Sequence, residues 1–223
     1  MKILVASSKD WFEIDEKLKY LHTIEIIKDR DELSLQNLNR FEPDLIFFPH
    51  WNWVVPVEIH SKFTCIVFHT APLPYGRGGS PIQNLIIKGF KEAPVCALKM
   101  TSELDAGPIY TQKIISLEGT LTEIFERINN VINIMISELS NKLPEPKAQS
   151  GEVVTFERIN NFENEITLKT NLNNIYDQIR MLDSPYYPNS FLNIEGYKLE
   201  FYDVEFKNNK IVSKCVITTN EPD

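Results

Sequence analysis

The sequence is short of the residues that mark several common sites. Only 8 of its 223 residues are glycine, and none comes directly after the first apolar run. A dinucleotide-binding domain places Gly-x-Gly-x-x-Gly there, because the pyrophosphate must approach bare backbone. Ser7-Ser8-Lys9-Asp10-Trp11 occupies that place instead, and no Gly-Lys-Ser/Thr phosphate loop occurs. NAD and FAD binding at that position is therefore disfavoured. Cysteine is scarce too. Cys65, Cys96 and Cys215 are odd in number, far apart and without metal-ligand spacing. They fit a reducing, cytoplasmic setting and leave no metal site to expect.

Positive charge is also in short supply. Lys and Arg number 23 against 31 Asp and Glu, which gives a formal net charge of -8 and a pI of about 5.1. Such a surface repels phosphate backbones, so no nucleic-acid partner is expected. The richest basic stretch, Lys88 to Lys99, is broken by Glu92. Long apolar runs are absent: Leu45–Phe48 and Cys65–Phe68 are far too short to span a bilayer. Met1–Ser7 reads as a first buried strand and lacks the apolar core of a signal peptide.

What is present alternates in type. Short apolar runs at Met1–Ser7, Thr23–Ile27, Pro43–Phe48, Thr64–Phe68, Val95–Met100 and Ile109–Ile115 read as strands. Between them, Trp11–Leu21, Leu33–Phe41 and Pro81–Phe90 read as helices. Apolar residues at Leu121, Ile124, Phe125, Ile128, Val131, Ile132, Met135 and Leu139 predict a long helix over Leu121–Leu143. Strands alternating with helices predict an α/β fold over residues 1–145, Rossmann-like and doubly wound on a mostly parallel sheet. Pro144, Pro146, Gln149, Ser150 and Gly151 then read as a link. Residues 151–223 read as a small C-terminal β-rich α+β subdomain. Its strands are expected at Val153–Ile159, Ser190–Ile194, Lys198–Val204 and Ile211–Thr218, with one helix at Leu172–Leu182.

The chemistry concentrates in two stretches. Phe68-His69-Thr70-Ala71-Pro72-Leu73-Pro74-Tyr75-Gly76-Arg77-Gly78-Gly79-Ser80-Pro81 holds three of the eight glycines. It delivers a histidine at the carboxyl end of a buried strand, where α/β sheets bind ligands. Glycines let backbone pass close to a ligand, and Arg77 adds a forked donor for an anion. The second stretch, Leu104-Asp105-Ala106-Gly107-Pro108-Ile109, sets a carboxylate in a tight loop. An imidazole and a carboxylate on neighbouring strand ends can act as an oriented acid/base pair. Read singly, His69 is a structural histidine and Asp105 a turn residue, because Asp-x-Gly is ordinary turn chemistry.

His69-x-x-x-Leu73-Pro74-x-x-Arg77-Gly78 together with Asp105-x-Gly107-Pro108-Ile109 resembles the folate-dependent formyltransferase family. That family includes methionyl-tRNA, glycinamide ribonucleotide and sugar-nucleotide enzymes. The tail segment Ile175-Tyr176-Asp177-Gln178-Ile179-Arg180-Met181-Leu182-Asp183 is similar to the sugar-modifying members, with those of the pseudaminic acid pathway nearest. The resemblance implies an N-formyltransferase using 10-formyltetrahydrofolate as co-substrate and no metal. It implies His69 and Asp105 as catalytic residues. Trp51, Trp53, Leu73, Met100 and Leu104 would line the pterin slot. Thr70, Arg77, Gly78, Gly79, Ser80, Gln83, Asn84, Tyr186 and Tyr187 would face the amine substrate, a nucleotide-linked amino sugar such as a 4-amino-4,6-dideoxy sugar. A homodimer through the tail is also implied.

One departure stands out. Family members carry Asn two residues before the histidine; here that residue is Val67. Valine cannot donate a hydrogen bond, and one lost oxyanion donor costs about 2.7–4 kcal/mol in the transition state. Thr70 is a nearby hydroxyl that would substitute. The alternatives are transfer to another amine (aminoacyl-tRNA, an amino acid or a peptide) and a weakened folate-binding protein. The acidic pI and a tail of about 75 residues weigh against tRNA.

Overall fold

The computed structural model describes residues 1–160 and 164–219. Two compact units are interleaved along the sequence. The first comprises Met1–Gly78, Pro94–Ile115 and Ile128–Thr155; the second comprises Gly79–Ala93, Ser116–Arg127 and the chain from Phe156 onward.

The first unit carries the central sheet. Its strands are β1 (Lys2–Ala6), β2 (Thr23–Ile27), β3 (Leu45–Phe48), β4 (Cys65–Thr70), β6 (Glu92–Lys99) and β7 (Ile109–Ser116), in the order β2-β1-β3-β4-β6-β7. β1 to β4 run parallel, whereas β6 runs antiparallel to β4. The sheet is mostly parallel and Rossmann-like, as the alternation of elements predicts. Helices α1 (Glu16–Leu21), α2 (Leu35–Phe41) and α3 (Val57–His60) connect the parallel strands. Leu4, Ala6, Leu38, Ile46, Phe48 and Ile59 meet in one core cluster, which removes apolar area from water.

The helix expected over Trp11–Leu21 begins only at Glu16. Its missing first half has a physical cause. The Glu13 and Asp15 amides donate to Asn129 Oδ1 and Asn133 Oδ1 at 3.1 and 2.8 Å, and Asn133 Nδ2 returns a bond to the Glu13 carbonyl. Both asparagines sit on α5 (Leu121–Asn141), the long helix of the apolar repeat. Residues 13–15 thus satisfy their backbone outside a helix.

β5 (Tyr75–Gly78), in the glycine-rich stretch that follows His69, forms a two-stranded sheet with β8 (Val154–Phe156). Arg77 therefore lies on a strand. The second unit contains α4 (Pro81–Ile87), α6 (Leu172–Arg180) and an antiparallel sheet of β9 (Ser190–Ile194), β10 (Tyr197–Lys207) and β11 (Lys210–Thr219). Ile166, Ile179 and Val204 form its small core. Arg180, almost fully buried, is neutralised by Asp177 at 2.6 Å and donates to the Gly119 carbonyl.

Candidate active site

β4 is gripped between β3 and β6, with His69 opposite Cys96. Its pleat puts Val67 and His69 on one face and Thr70 on the other. Val67 packs against the core cluster, and Thr70 is buried. Neither arrangement supplies a donor beside His69.

His69 is only 8% exposed. Its Nε2 lies 2.7 Å from the Gly76 carbonyl oxygen. A carbonyl only accepts, so Nε2 carries the proton. Its Nδ1 lies 3.4 Å from Asp105 Oδ2, and the two side chains are 8% and 9% exposed. The same carboxylate oxygen accepts the Gly78 amide at 3.0 Å. Both imidazole nitrogens thus face acceptors, which suits the ring to holding and passing a proton.

The chain brings Asp105 to His69 by a fold-back. β6 runs against β4, and its last residue, Lys99, pairs with Ile66 rather than with His69. The connection to β7 must turn back along the sheet. Lys99 N donates to the Pro108 carbonyl at 2.9 Å. Gly107 has no room for a side chain, because a Cβ would sit 1.8 Å from the Lys99 oxygen. Asp105 itself is left-handed, with φ of 51°, a conformation Asp tolerates.

Gln149, read from sequence only as part of a link, ties this loop down. Its Nε2 donates to the carbonyls of Asp105 and Gly107 at 2.7 and 2.9 Å. Its Oε1 accepts from Arg77 Nε and Nη2 at 3.1 and 2.9 Å, and Arg77 Nη1 donates to Glu103 at 2.9 Å. Three Arg77 donor atoms are therefore engaged within the loop.

Of the residues expected at the pterin slot, Trp51 and Trp53 stand ring to ring, with centroids 4.8 Å apart and an interplanar angle of 71°. Trp51 and Met100 both pack on the same core cluster. Trp51 Nε1 is buried without a hydrogen-bond partner. Leu73 is half-buried and precedes a cis bond to Pro74. Leu104 is 71% exposed. His50, singled out by no motif, belongs with the tryptophans. Its backbone is left-handed, and its ring lies 4.3 Å from Trp11. Burial, with a smaller push from Lys9, holds its pKa down to about 3.

The remaining expected residues lie in the second unit. Gly79 N donates to the Phe156 carbonyl, and Ser80 Oγ accepts the Ile159 amide. Asn84 Nδ2 donates to the carbonyls of Gly79, Ser80 and Glu157. These three residues fasten the segment 156–159. Gln83 is buried, the Tyr187 ring lies tilted against that of Phe125 with centroids 5.7 Å apart, and Tyr186 is exposed. Among the described residues, no three His, Cys, Asp or Glu side chains are grouped to hold a metal, and no helix is long and apolar enough to cross a membrane.

The comparisons agree with this architecture. A model for the formyl transferase domain matches residues 9–138, and one for the methionyl-tRNA formyltransferase C-terminal domain matches residues 161–218. A methionyl-tRNA formyltransferase of Malacoplasma penetrans is 27% identical over 218 residues, covering 94% of this chain and 66% of that protein. The solved structure of a methionyl-tRNA formyltransferase from Clostridium thermocellum superposes with a TM-score of 0.92 at 39% identity, covering 99% of this chain and all of that one. WlaRD, a sugar 3N-formyltransferase solved with dTDP and 5-N-formyl-tetrahydrofolate, shares the fold with a TM-score of 0.64 at 15% identity, over 100% of this chain and 99% of that one. The chain spans 66% of the Malacoplasma protein's length and 65% of that of a Mesoplasma florum relative. With more than half of its residues matched by the formyl transferase model, this chain belongs to the formyl transferase family.

Proposed function

We propose that the chain is an N-formyltransferase that moves the formyl group of 10-formyltetrahydrofolate onto a primary amine. The observation that carries the reading is the buried His69–Asp105 pair, 3.4 Å apart, with backbone Gly76 and Gly78 closing both its ends. The folate supplies an activated formyl carbon. The acceptor amine forms a C–N bond to that carbon, the bond to N10 breaks, and the amine's proton ends on N10. As negative charge gathers on the formyl oxygen, the His69 Nε2–H exchanges the Gly76 carbonyl for that oxygen, and Asp105, at Nδ1, holds the imidazole in register and balances its charge. The Trp51–Trp53 aromatic surface suits the pterin.

The acceptor we favour is the amine of a nucleotide-linked amino sugar. The support is electrostatic. From residue 151 onward, seven Lys and Arg face twelve Asp and Glu. Four of those seven cations, Arg180, Lys198, Lys207 and Lys214, are already paired with Asp177, Glu200, Glu205 and Asp203. Little cationic surface is left for an RNA backbone. Methionyl-tRNA is the second reading, favoured by the match of residues 161–218 to the tRNA enzymes' C-terminal domain.

One assay separates the two. The protein is incubated with 10-formyltetrahydrofolate and either 4-amino-sugar nucleotides or methionyl-tRNA, and products are weighed by mass spectrometry. A formyl gain on a sugar nucleotide supports the favoured acceptor. Formylation of methionyl-tRNA alone replaces it with the second reading, and no transfer to any amine defeats both.

A further inference from the structure

One short strand holds the acid/base pair at both ends. β5 contains the tripeptide Gly76-Arg77-Gly78. The His69 Nε2–H donates to the Gly76 carbonyl at 2.7 Å, and the Gly78 amide donates to Asp105 Oδ2 at 3.0 Å. His69 and Asp105, 3.4 Å apart, are thus both tied to backbone two residues apart on one strand. Gly76 and Gly78 have positive φ, 90° and 99°, where a side chain is strained. Arg77 carries the one side chain of the three.

That side chain is only 14% exposed. Each of its nitrogens donates to the protein: Nε and Nη2 to Gln149 Oε1, and Nη1 to Glu103 Oε1. Gln149 in turn donates to the carbonyls of Asp105 and Gly107. The guanidinium therefore reaches the 103–107 loop twice, once through Glu103 and once through Gln149. Stability is a poor account of this arrangement. A mostly buried cation loses hydration, and its carboxylate partner Glu103 is 74% exposed, so water screens the ion pair. A planar fork set against two acceptors fixes geometry instead.

We propose that Arg77 is a positioning residue: it locks the 103–107 loop onto β5, fixes Asp105 against His69, and is not the anchor for an anionic group of the acceptor. Its guanidinium is committed to the protein before any substrate arrives. It acts on the reacting atoms through Asp105 alone. The part that Arg77 plays in turnover rests on the transfer reading above. Its grip on Asp105 is a property of the fold, measured without turnover.

The test compares Arg77→Met and Arg77→Lys with the parent, using 10-formyltetrahydrofolate and whichever of 4-amino-sugar nucleotides and methionyl-tRNA the parent formylates. Both variants should lose kcat about ten- to hundredfold, because small displacements of a catalytic group carry such penalties. The acceptor KM should stay within about threefold of the parent's, since no acceptor contact is removed. Lysine should do no better than methionine, because it keeps the charge and lacks the fork. Asp105→Asn, alone and combined with Arg77→Met, gives the decisive comparison. A residue that acts through Asp105 adds little to the loss caused by Asp105→Asn, whereas an independent role multiplies it. A raised acceptor KM with kcat kept, parental kcat in Arg77→Lys, or multiplied losses in the double variant would each overturn the proposal. A crystal structure of Arg77→Met needs no acceptor: the Asp105–His69 separation should exceed the parent's 3.4 Å. Arg77→Lys takes its place if the methionine variant does not fold. An unmoved pair overturns the proposal and leaves the transfer reading standing if the parent formylates an amine. A widened pair in a chain whose parent formylates neither acceptor keeps the Arg77 grip and removes the transfer reading.

Discussion

Gln149 holds Asp105 by its backbone, donating 2.7 Å to the Asp105 carbonyl and 2.9 Å to that of Gly107. The carboxylate of Asp105 is thereby free to face His69 and the Gly78 amide. Gln149 touches no reacting atom in this arrangement and acts through the loop.

Replacing Gln149 by Leu should leave the fold intact and lower kcat about ten- to hundredfold, because small displacements of a catalytic group carry such penalties. The KM for folate should change much less, since the tryptophan surface is untouched. Steady-state kinetics with both substrates varied would measure the split. Equal kcat in the variant would remove Gln149 from the positioning role.

Asp105→Asn keeps the left-handed backbone, which Asn also tolerates, and keeps an oxygen for the Gly78 amide. It removes only the charge beside Nδ1. Turnover should fall by about two to four orders of magnitude, with thermal stability near that of the parent. Asp105→Ala should lose turnover similarly and also about 1 kcal/mol of stability, the cost of a Cβ in that conformation without a polar side chain. Single-turnover rates beside melting curves separate charge from strain.

Gly107→Ala tests the tightness of the fold-back. A methyl group cannot share space with the Lys99 carbonyl 1.8 Å away, so the β6–β7 connection must shift. A destabilisation of about 2 kcal/mol or more is expected, read as a lower denaturant midpoint. Asp105, two residues earlier, should be displaced with it, and turnover should drop even where the variant is folded.

Much of this layout was legible in the residues. Leu121 to Leu139 repeat at steps of three and four, and α5 ends within two residues of the predicted limit. Ser190–Ile194 is a strand with the bounds its composition predicts. His69 and Asp105, placed on neighbouring strand ends and paired by the resemblance to the formyltransferases, do meet at 3.4 Å. What failed was whatever depends on a distant partner. The first half of the Trp11–Leu21 helix is lost to Asn129 and Asn133, more than a hundred residues away in sequence. β5 is a strand only because β8 pairs with it. Gln149 sits among prolines with no periodicity to mark it, and His50 owes its character to burial, which no local pattern reveals.

The cysteines give a prediction about reactivity. Burial pushes the thiols of Cys65 and Cys96 up to about 12, so almost no thiolate exists at neutral pH. Cys215 is exposed. A chromogenic disulfide reagent at pH 8 should titrate one thiol per native chain quickly and all three in denaturant. Fast reaction of two or more native thiols would contradict the burial of β4 and β6.

His50 sets a limit on acid stability. An unfolded histidine takes up its proton near its ordinary value of 6.5, whereas folded His50 refuses it until about 3. Between those values the unfolded chain binds more protons than the native one. Stability is therefore fully present above about pH 6.5 and falls as pH drops toward 3, by up to about 1.4 kcal/mol per pH unit from this group. His50→Phe keeps an aromatic ring against Trp11 and has nothing to protonate. Urea unfolding at pH 4.5 and 7.5 should show a smaller loss for the variant than for the parent, because only the parent must exclude a proton from a dry, aromatic pocket. An equal loss in both would mean that water reaches the His50 ring, and the buried cluster of Trp11, His50 and Phe12 would then be open in solution.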